Sequence, residues 1–517
     1  MSAIQLDGEH LDFAQLYRVA LEGAKVELAA PARERMLASR AVIERLIASD
    51  QAVYGVNTGF GKMASARISR EQIGELQVNL VRSHACGVGA ALGERETRAM
   101  LLLRANAIAK GFSGVRPVVV ETLCAMLNAG VHPVIPSQGS VGASGDLAPL
   151  AHLAQVAIGE GEAILQGDKI SGGDALRTAA IRPLKLEAKE GLALLNGTQA
   201  MLALLALSLR EAEIAVDTAD VAAALSLDAL RGSPAAFDER IAAVRPYAGH
   251  AITAHNLLWL NHGSEIRESH RAAEKDKRVQ DAYSLRCTPQ VHGAVRDALT
   301  QVRATLAVEL NSATDNPLVF VNASDDSSAG SGKDSGEVIS GGNFHGQPLA
   351  MAADQLAVAL ATLAGISERR IEQMANPQAS LLPAFLVRDA GLNSGFMILQ
   401  VVAAALASEM KTQAAPHSVD SIPTSANQED YVSMGMGAAR RIQPMLGNLR
   451  NVLAIELLAA CQGIDLLAPL ATGAQAARAQ AMVRAESKMV DADRSLAPDI
   501  RAVERRIAAG DFSKILR

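Results

Sequence analysis

Residues 139–146 read GSVGASGD, which sets Ala143-Ser144-Gly145 in a run of small residues just before an apolar, helically spaced segment. Spacing excludes two side-chain chemistries. A nucleophile elbow needs GxSxG, and Gly142-Ala143-Ser144-Gly145 is one residue short. A phosphate loop needs GK[ST] after its glycines, and none follows. What remains is a turn, or a reaction of the backbone itself. Glycine lacks Cβ, so the Gly145 nitrogen can bend back onto the Ala143 carbonyl carbon. Attack there closes a five-membered ring. Loss of water from the ring and from the Ser144 side chain then leaves an exocyclic methylidene, a strong electrophile. Taken alone, the segment leaves both readings open.

Other reactive residue types are sparse. Aromatics make up 3% of the chain, so each of the five tyrosines (Tyr17, Tyr54, Tyr247, Tyr283 and Tyr431) is worth placing. Cys86, Cys124, Cys287 and Cys461 form no CxxC pair, which argues against disulfides or a thiolate zinc site and fits a reducing cytoplasm. The eleven histidines include no HExxH, so no metal is expected. A net charge of −6 without a long basic tract argues against nucleic acid as a partner. The Arg-rich end, RAVERRIAAGDFSKILR, mixes in acids and reads as a solvated helix face. No secretory signal opens the chain. The most membrane-like run, GLALLNGTQAMLALLALSL, is interrupted by Asn196, Thr198 and Gln199 and reads as a buried helix, so no membrane partner is expected.

Helices must position these groups. RPVVVETLCAMLNAG has helical spacing and stops at Gly130; DLAPLAHLAQVAIGEGE starts at Asp146, a candidate N-cap. Segments 201–230, 290–312, 348–375, 393–413 and 437–465 read as long helices, and strand-like alternation is confined to 162–172 and 317–321. The expectation is an all-α protein with a long central helical bundle. Between the helices lie loops rich in Gly, Asn and Ser at 54–63, 137–145, 311–316, 340–348 and 421–430. A polar Gly/Ser/Asp stretch around 323–337 reads as a surface loop.

Seven segments, in order, change the balance at Ser144: YGVNTGFGK (54–62), NLVRSHACGVG (79–89), GSVGASGDLAPLAH (139–152), LALLNGTQ (192–199), QDAYSLRCTPQVHG (280–293), SGGNFHGQP (340–348) and IPTSANQEDYVSMG (422–435). Together they resemble the aromatic amino acid ammonia-lyase family, most closely its histidine-specific members, over about residues 50–470. The resemblance implies that Ala143-Ser144-Gly145 cyclises to 4-methylidene-imidazol-5-one, with no external cofactor. It implies a smaller, loop-rich N-terminal domain (1–200) bearing that group and a helical bundle (201–517). It also implies a homotetramer whose active sites combine loops of several subunits. An electrophile that captures the α-amine makes it a better leaving group, so ammonia can be lost across Cα–Cβ.

The resemblance also assigns roles. Tyr54 takes the β-proton; its phenol ordinarily titrates at about 10, so the site must favour the phenolate. Arg286 grips the substrate carboxylate, Asn196 bonds near the carboxylate and the ring, and Phe344 lines the site. Tyr283 and Gln280 belong to the Arg286 segment, and their spacing by three would put all of them on one helical face. Ser83-His84 marks histidine-specific members. His84 and Glu429 can both hydrogen-bond an imidazole, and a phenyl ring would leave each unpaired at a cost of about 1–3 kcal/mol. One departure is Tyr431, where histidine-specific members commonly carry His. The expected activity is conversion of L-histidine to trans-urocanate and ammonia. A tyrosine or phenylalanine ammonia-lyase, a 2,3-aminomutase, and a non-catalytic helical scaffold with an unmodified 143–145 segment are the alternatives.

Overall fold

The computed structural model describes residues 3–49, 58, 68–272, 275–276, 278–322 and 336–516. Helices dominate, and the strands are short: Glu162–Leu165 pairs antiparallel with Asp168–Ser171, and Leu318–Val321 pairs with Gly336–Ile339 in the register Leu318↔Ile339. The expected long helices form as Gln199–Ala229, Thr288–Glu309, Gln347–Ala375, Met397–Gln413 and Ile442–Leu466. Pro117–Ala129 ends as its sequence suggests, with Gly130 left-handed at φ 73°. The apolar run around 191–209 is two helices, Glu190–Leu195 and Gln199–Ala229, broken at Asn196-Gly197-Thr198.

By packing, the chain forms two compact units. The first comprises residues 1–207, 303–353 and 416–440, and the second 208–302, 354–415 and 441–517. The grouping is therefore interleaved rather than a single cut after residue 200. In the first unit Glu94–Ala109 is buried from Glu96 to Ala109, and its polar members Arg104 and Asn106 each serve distant backbone. Apolar burial elsewhere in this unit is supplied mainly by Ala, Leu and Val.

The second unit is built on Ile442–Leu466, buried continuously from Val452 to Ile464. Its interior holds charge as well as hydrocarbon. Glu456, fully buried, meets the Arg370 guanidinium at 2.5 and 3.0 Å and accepts from Ser226 and Ser367. His292 Nδ1 lies 2.7 Å from Asp220, which also meets Arg296 at 2.6 Å. The Arg-rich C-terminal segment forms Ala497–Ala508; Asp499, Val503 and Ile507 face inward, and Arg506 pairs with Glu486 and Asp511.

Candidate active site

Ser144 opens onto a cavity of about 430 Å³ in the first unit. Its wall is assembled from three helices, Ile73–His84, Leu147–Ala157 and Glu190–Leu195, the break at Asn196 and four loops. The helix Ile73–His84 contributes Leu76, Asn79, Leu80 and Ser83, which recur at helical spacing on one face, and His84 at its end. Asn196 comes from the break between two helices, Asn316 and Phe344 from the loops at 311–316 and 340–348, and Ser425 and Glu429 from the loop at 421–430. Four of the five Gly/Asn/Ser-rich loops thus reach one space. The fifth, at 54–63, lies outside the described residues except for Thr58, so Tyr54 does too.

The small residues of the reactive segment have a geometric reason. Gly145 is left-handed, at φ 74°, and a Cβ there would overlap the backbone of Gly197. Gly197 in turn has no room for a side chain, because the Arg104 guanidinium fills that position. The two strands of backbone are tied by Asp146 N donating to Gly197 O at 2.7 Å. Asn196 Nδ2 donates to Ser144 O at 2.9 Å, while its buried Oδ1 has no partner among the described residues. Arg104, buried beneath this turn, donates to Ala193 O, to Asn196 O at 3.1 Å and to Gln199 Oε1 at 2.8 Å. Burial lowers its pKa to about 10, opposed by Asp315, so it remains a cation at neutral pH.

Asp146 occupies the N-cap position of Leu147–Ala157 but does not cap that helix. Its carboxylate instead accepts from Met201 N, at 2.9 Å, in the first turn of Gln199–Ala229, and from Ser140 Oγ at 3.0 Å. Full burial outweighs these neutral donors and pushes its pKa up to about 6. Ser140 also accepts from Gly142 N, and Ser433 Oγ donates to Gly142 O, so the segment before Ser144 is held on both sides.

Glu429 and His84 give the cavity its polar character. Ser144 Oγ donates to Glu429 Oε1 at 2.9 Å, and Thr424 Oγ1 donates to Oε2 at 2.6 Å. Thr424 and Glu429 also pair through their backbones across a turn in which Ser425, Ala426 and Asn427 are all left-handed. Such a run of non-glycine residues costs energy and is held by its surroundings. His84 Nδ1 lies 2.9 Å from Leu80 O, an acceptor only, so Nδ1 carries the hydrogen and Nε2 is left as an acceptor. Burial lowers the His84 pKa, against the Leu80 carbonyl and the Glu429 charge, and keeps the ring neutral at pH 7. Gln77 Oε1 accepts from Gly191 N and Leu192 N, linking this helix to the one that ends at Asn196.

The aromatic amino acid lyase family model matches residues 11–485. The chain belongs to the aromatic amino acid lyase family. A histidine ammonia-lyase of Koribacter versatilis is 54% identical over 100% of both chains. Among solved structures, histidine ammonia-lyase from Trypanosoma cruzi is 43% identical with a TM-score of 0.89, covering 100% of this chain and 95% of that one. Tyrosine aminomutase from Streptomyces globisporus is 38% identical with a TM-score of 0.92, covering 99% and 98%.

For a lyase of this family, the structure gathers Ser83, His84, Ser144, Asn196, Phe344 and Glu429 around one cavity. Gln280, Tyr283 and Arg286 belong to the second unit. They do not share one helical turn as the spacing suggested: the helix is only Tyr283–Arg286, and Gln280 precedes it. Tyr283 is 71% exposed, and the Arg286 guanidinium lies 4.5 Å from its ring centre. Tyr431 lies outside the cavity wall and stacks on His345, the neighbour of Phe344, with ring centres 6.3 Å apart. Leu76, Asn79, Leu80, Leu147, Leu192, Leu195, Asn316 and Ser425 line the cavity without having been singled out in sequence. For Leu76 and Asn79 the signal was present, as their helical spacing to Ser83.

Proposed function

We propose that the chain is a carbon–nitrogen lyase that converts L-histidine to trans-urocanate and ammonia, using 4-methylidene-imidazol-5-one formed from Ala143-Ser144-Gly145. The observation that carries this reading is that Ser144, Asn196, His84 and Glu429 face one cavity. The residues present suit the group: Asn196 already donates to the Ser144 carbonyl oxygen, and Gly145 is pressed against Gly197. When formed, the group supplies an electrophile for the substrate amine. The donor from Asn196 favours charge developing on the Ser144 oxygen. His84, neutral, offers Nε2 to an imidazole N–H, and Glu429 offers carboxylate oxygen. Tyr54 takes the β-proton and Arg286 holds the substrate carboxylate, with Gln280 and Tyr283 beside it; Ser83 and Phe344 complete the wall.

The working enzyme in this reading is a cytoplasmic homotetramer with active sites shared between subunits. Exposed Ile398, Val401 and Val402 form an apolar face on Met397–Gln413 that supports assembly. The likeness to a tyrosine aminomutase favours a second reading, in which a tyrosine or phenylalanine is deaminated or its amine shifted to the β-carbon. Supplying L-histidine, L-tyrosine and L-phenylalanine separately and following the near-ultraviolet product spectrum tests both. Urocanate should form fastest, and Ser144→Ala should abolish its formation without unfolding the chain. Faster coumarate, cinnamate or β-amino acid formation would overturn the choice.

A further inference from the structure

Glu429 has so far been a group that meets substrate, but its hydrogen bond to Ser144 concerns the chain before any substrate arrives. The Ser144 hydroxyl is what must leave for the methylidene to form. Among the described residues its oxygen has one side-chain partner, Glu429 Oε1, at 2.9 Å. Thr424 holds the other carboxyl oxygen, and backbone pairing between Thr424 and Glu429 fixes the carboxyl against the reactive segment. No lysine, arginine or histidine is bonded to that carboxyl among the described residues.

We infer that Glu429 is the proton donor that expels the Ser144 hydroxyl during self-formation of the electrophile, in addition to any contact with substrate. The inference rests on the reading of 143–145 as a self-made electrophile. Ring closure removes the first water: the Ala143 carbonyl oxygen leaves with the protons of Gly145 N and Ser144 N. Removal of the second water breaks Cβ–Oγ of Ser144 and makes Cα=Cβ from the electron pair of Cα–H. Glu429 delivers a proton to Oγ as that bond breaks, so that Oγ departs as water. The carboxylate is reprotonated as the Cα proton is released, and the side chain ends unchanged. A hydroxide is a poor leaving group, and a positioned acid assists such a step by about 10²–10⁴-fold.

The test is a time course of intact mass after synthesis or refolding of the full chain, for wild type, Glu429→Gln and Glu429→Asp. Gln keeps a hydrogen-bonding group beside Ser144 and Thr424 but has no acidic proton. Wild type should lose two waters. Glu429→Gln should stall one water short, with its second loss slowed by about 100-fold or more, and Glu429→Asp should recover part of the rate. Loss of both waters by Glu429→Gln at the wild-type rate would overturn the inference and leave the electrophile reading intact. A folded wild type at full mass would overturn both. Should Glu429→Gln not fold, Thr424→Val decides: a slowed second loss supports the role, and an unchanged one refutes it.

Discussion

Two polar clusters in this chain, one fully buried and one partly so, are built on opposite plans. In the second unit, Glu456 and Asp220 are each joined directly to a cation, Glu456 to Arg370 and Asp220 to Arg296, and Asp220 also meets the His292 ring. Burial raises the Asp220 pKa, yet Arg296, His292 and Asn256 together bring it below the ordinary carboxylate value. Around Ser144, by contrast, Asp146 and Glu429 are bonded, among the described residues, to hydroxyls and amides alone. Asp146 accordingly ends at about 6. Asp228, in the second unit but held by Thr472 and Ser264, also lies near 6. Burial alone therefore does not set the protonation state; the charge of the partner does. A carboxylate paired with a cation, as Asp220 is with Arg296, holds its charge to lower pH, whereas Asp146 and Asp228, bonded to neutral groups, hold a proton to higher pH.

The sharpest way to break this contrast is to remove one carboxylate from each plan. Glu456→Ala strands the buried Arg370 cation and should lower unfolding free energy by about 3–5 kcal/mol in urea titration. Glu429→Ala removes bonds to hydroxyls only and should cost about 1 kcal/mol, while turnover of histidine is lost. Equal stability costs would dissolve the distinction.

A smaller effect follows from Asp146. Folded, its carboxyl titrates near 6; unfolded, near 3.8. Between those values the native state holds the extra proton, so this group makes stability fall as pH rises from 3.8 to about 6. The gap amounts to about 3 kcal/mol at about 1.4 kcal/mol per pH unit. Asp146→Asn should remove that contribution, seen as the wild-type minus variant difference in urea midpoint between pH 4 and pH 7. An unchanged difference would show that Asp146 is not held protonated by its site.

Next in size is specificity. His84→Leu removes an acceptor suited to imidazole and should move the ratio of kcat/KM for histidine over phenylalanine by about 1–3 kcal/mol toward phenylalanine. Smallest is Tyr431→His, on an exposed ring stacked on His345, the neighbour of Phe344; stability should stay within about 0.5 kcal/mol and the preference for histidine should persist.

Much of this was legible in sequence where the signal is local. Gly130 as a helix stop, the long apolar helices and the loops that carry Ser144, Phe344 and Glu429 follow from spacing and turn chemistry. What was not legible depends on tertiary partners. Arg104 sits in LLLRANAIAK like any helix cation, yet it gathers backbone and side-chain acceptors between Ala193 and Gln199. Asp146 reads as a cap for its own helix and instead serves Met201, 55 residues away. The expected helical face of Gln280, Tyr283 and Arg286 fails because the helix begins only at Tyr283.

Whether residues 143–145 become the reactive group is read from the denatured intact mass of the folded, purified wild-type chain. That mass should fall short of the sequence by two waters, with fragmentation placing the loss at Ala143-Ser144-Gly145. A natively folded chain at full mass would contradict it.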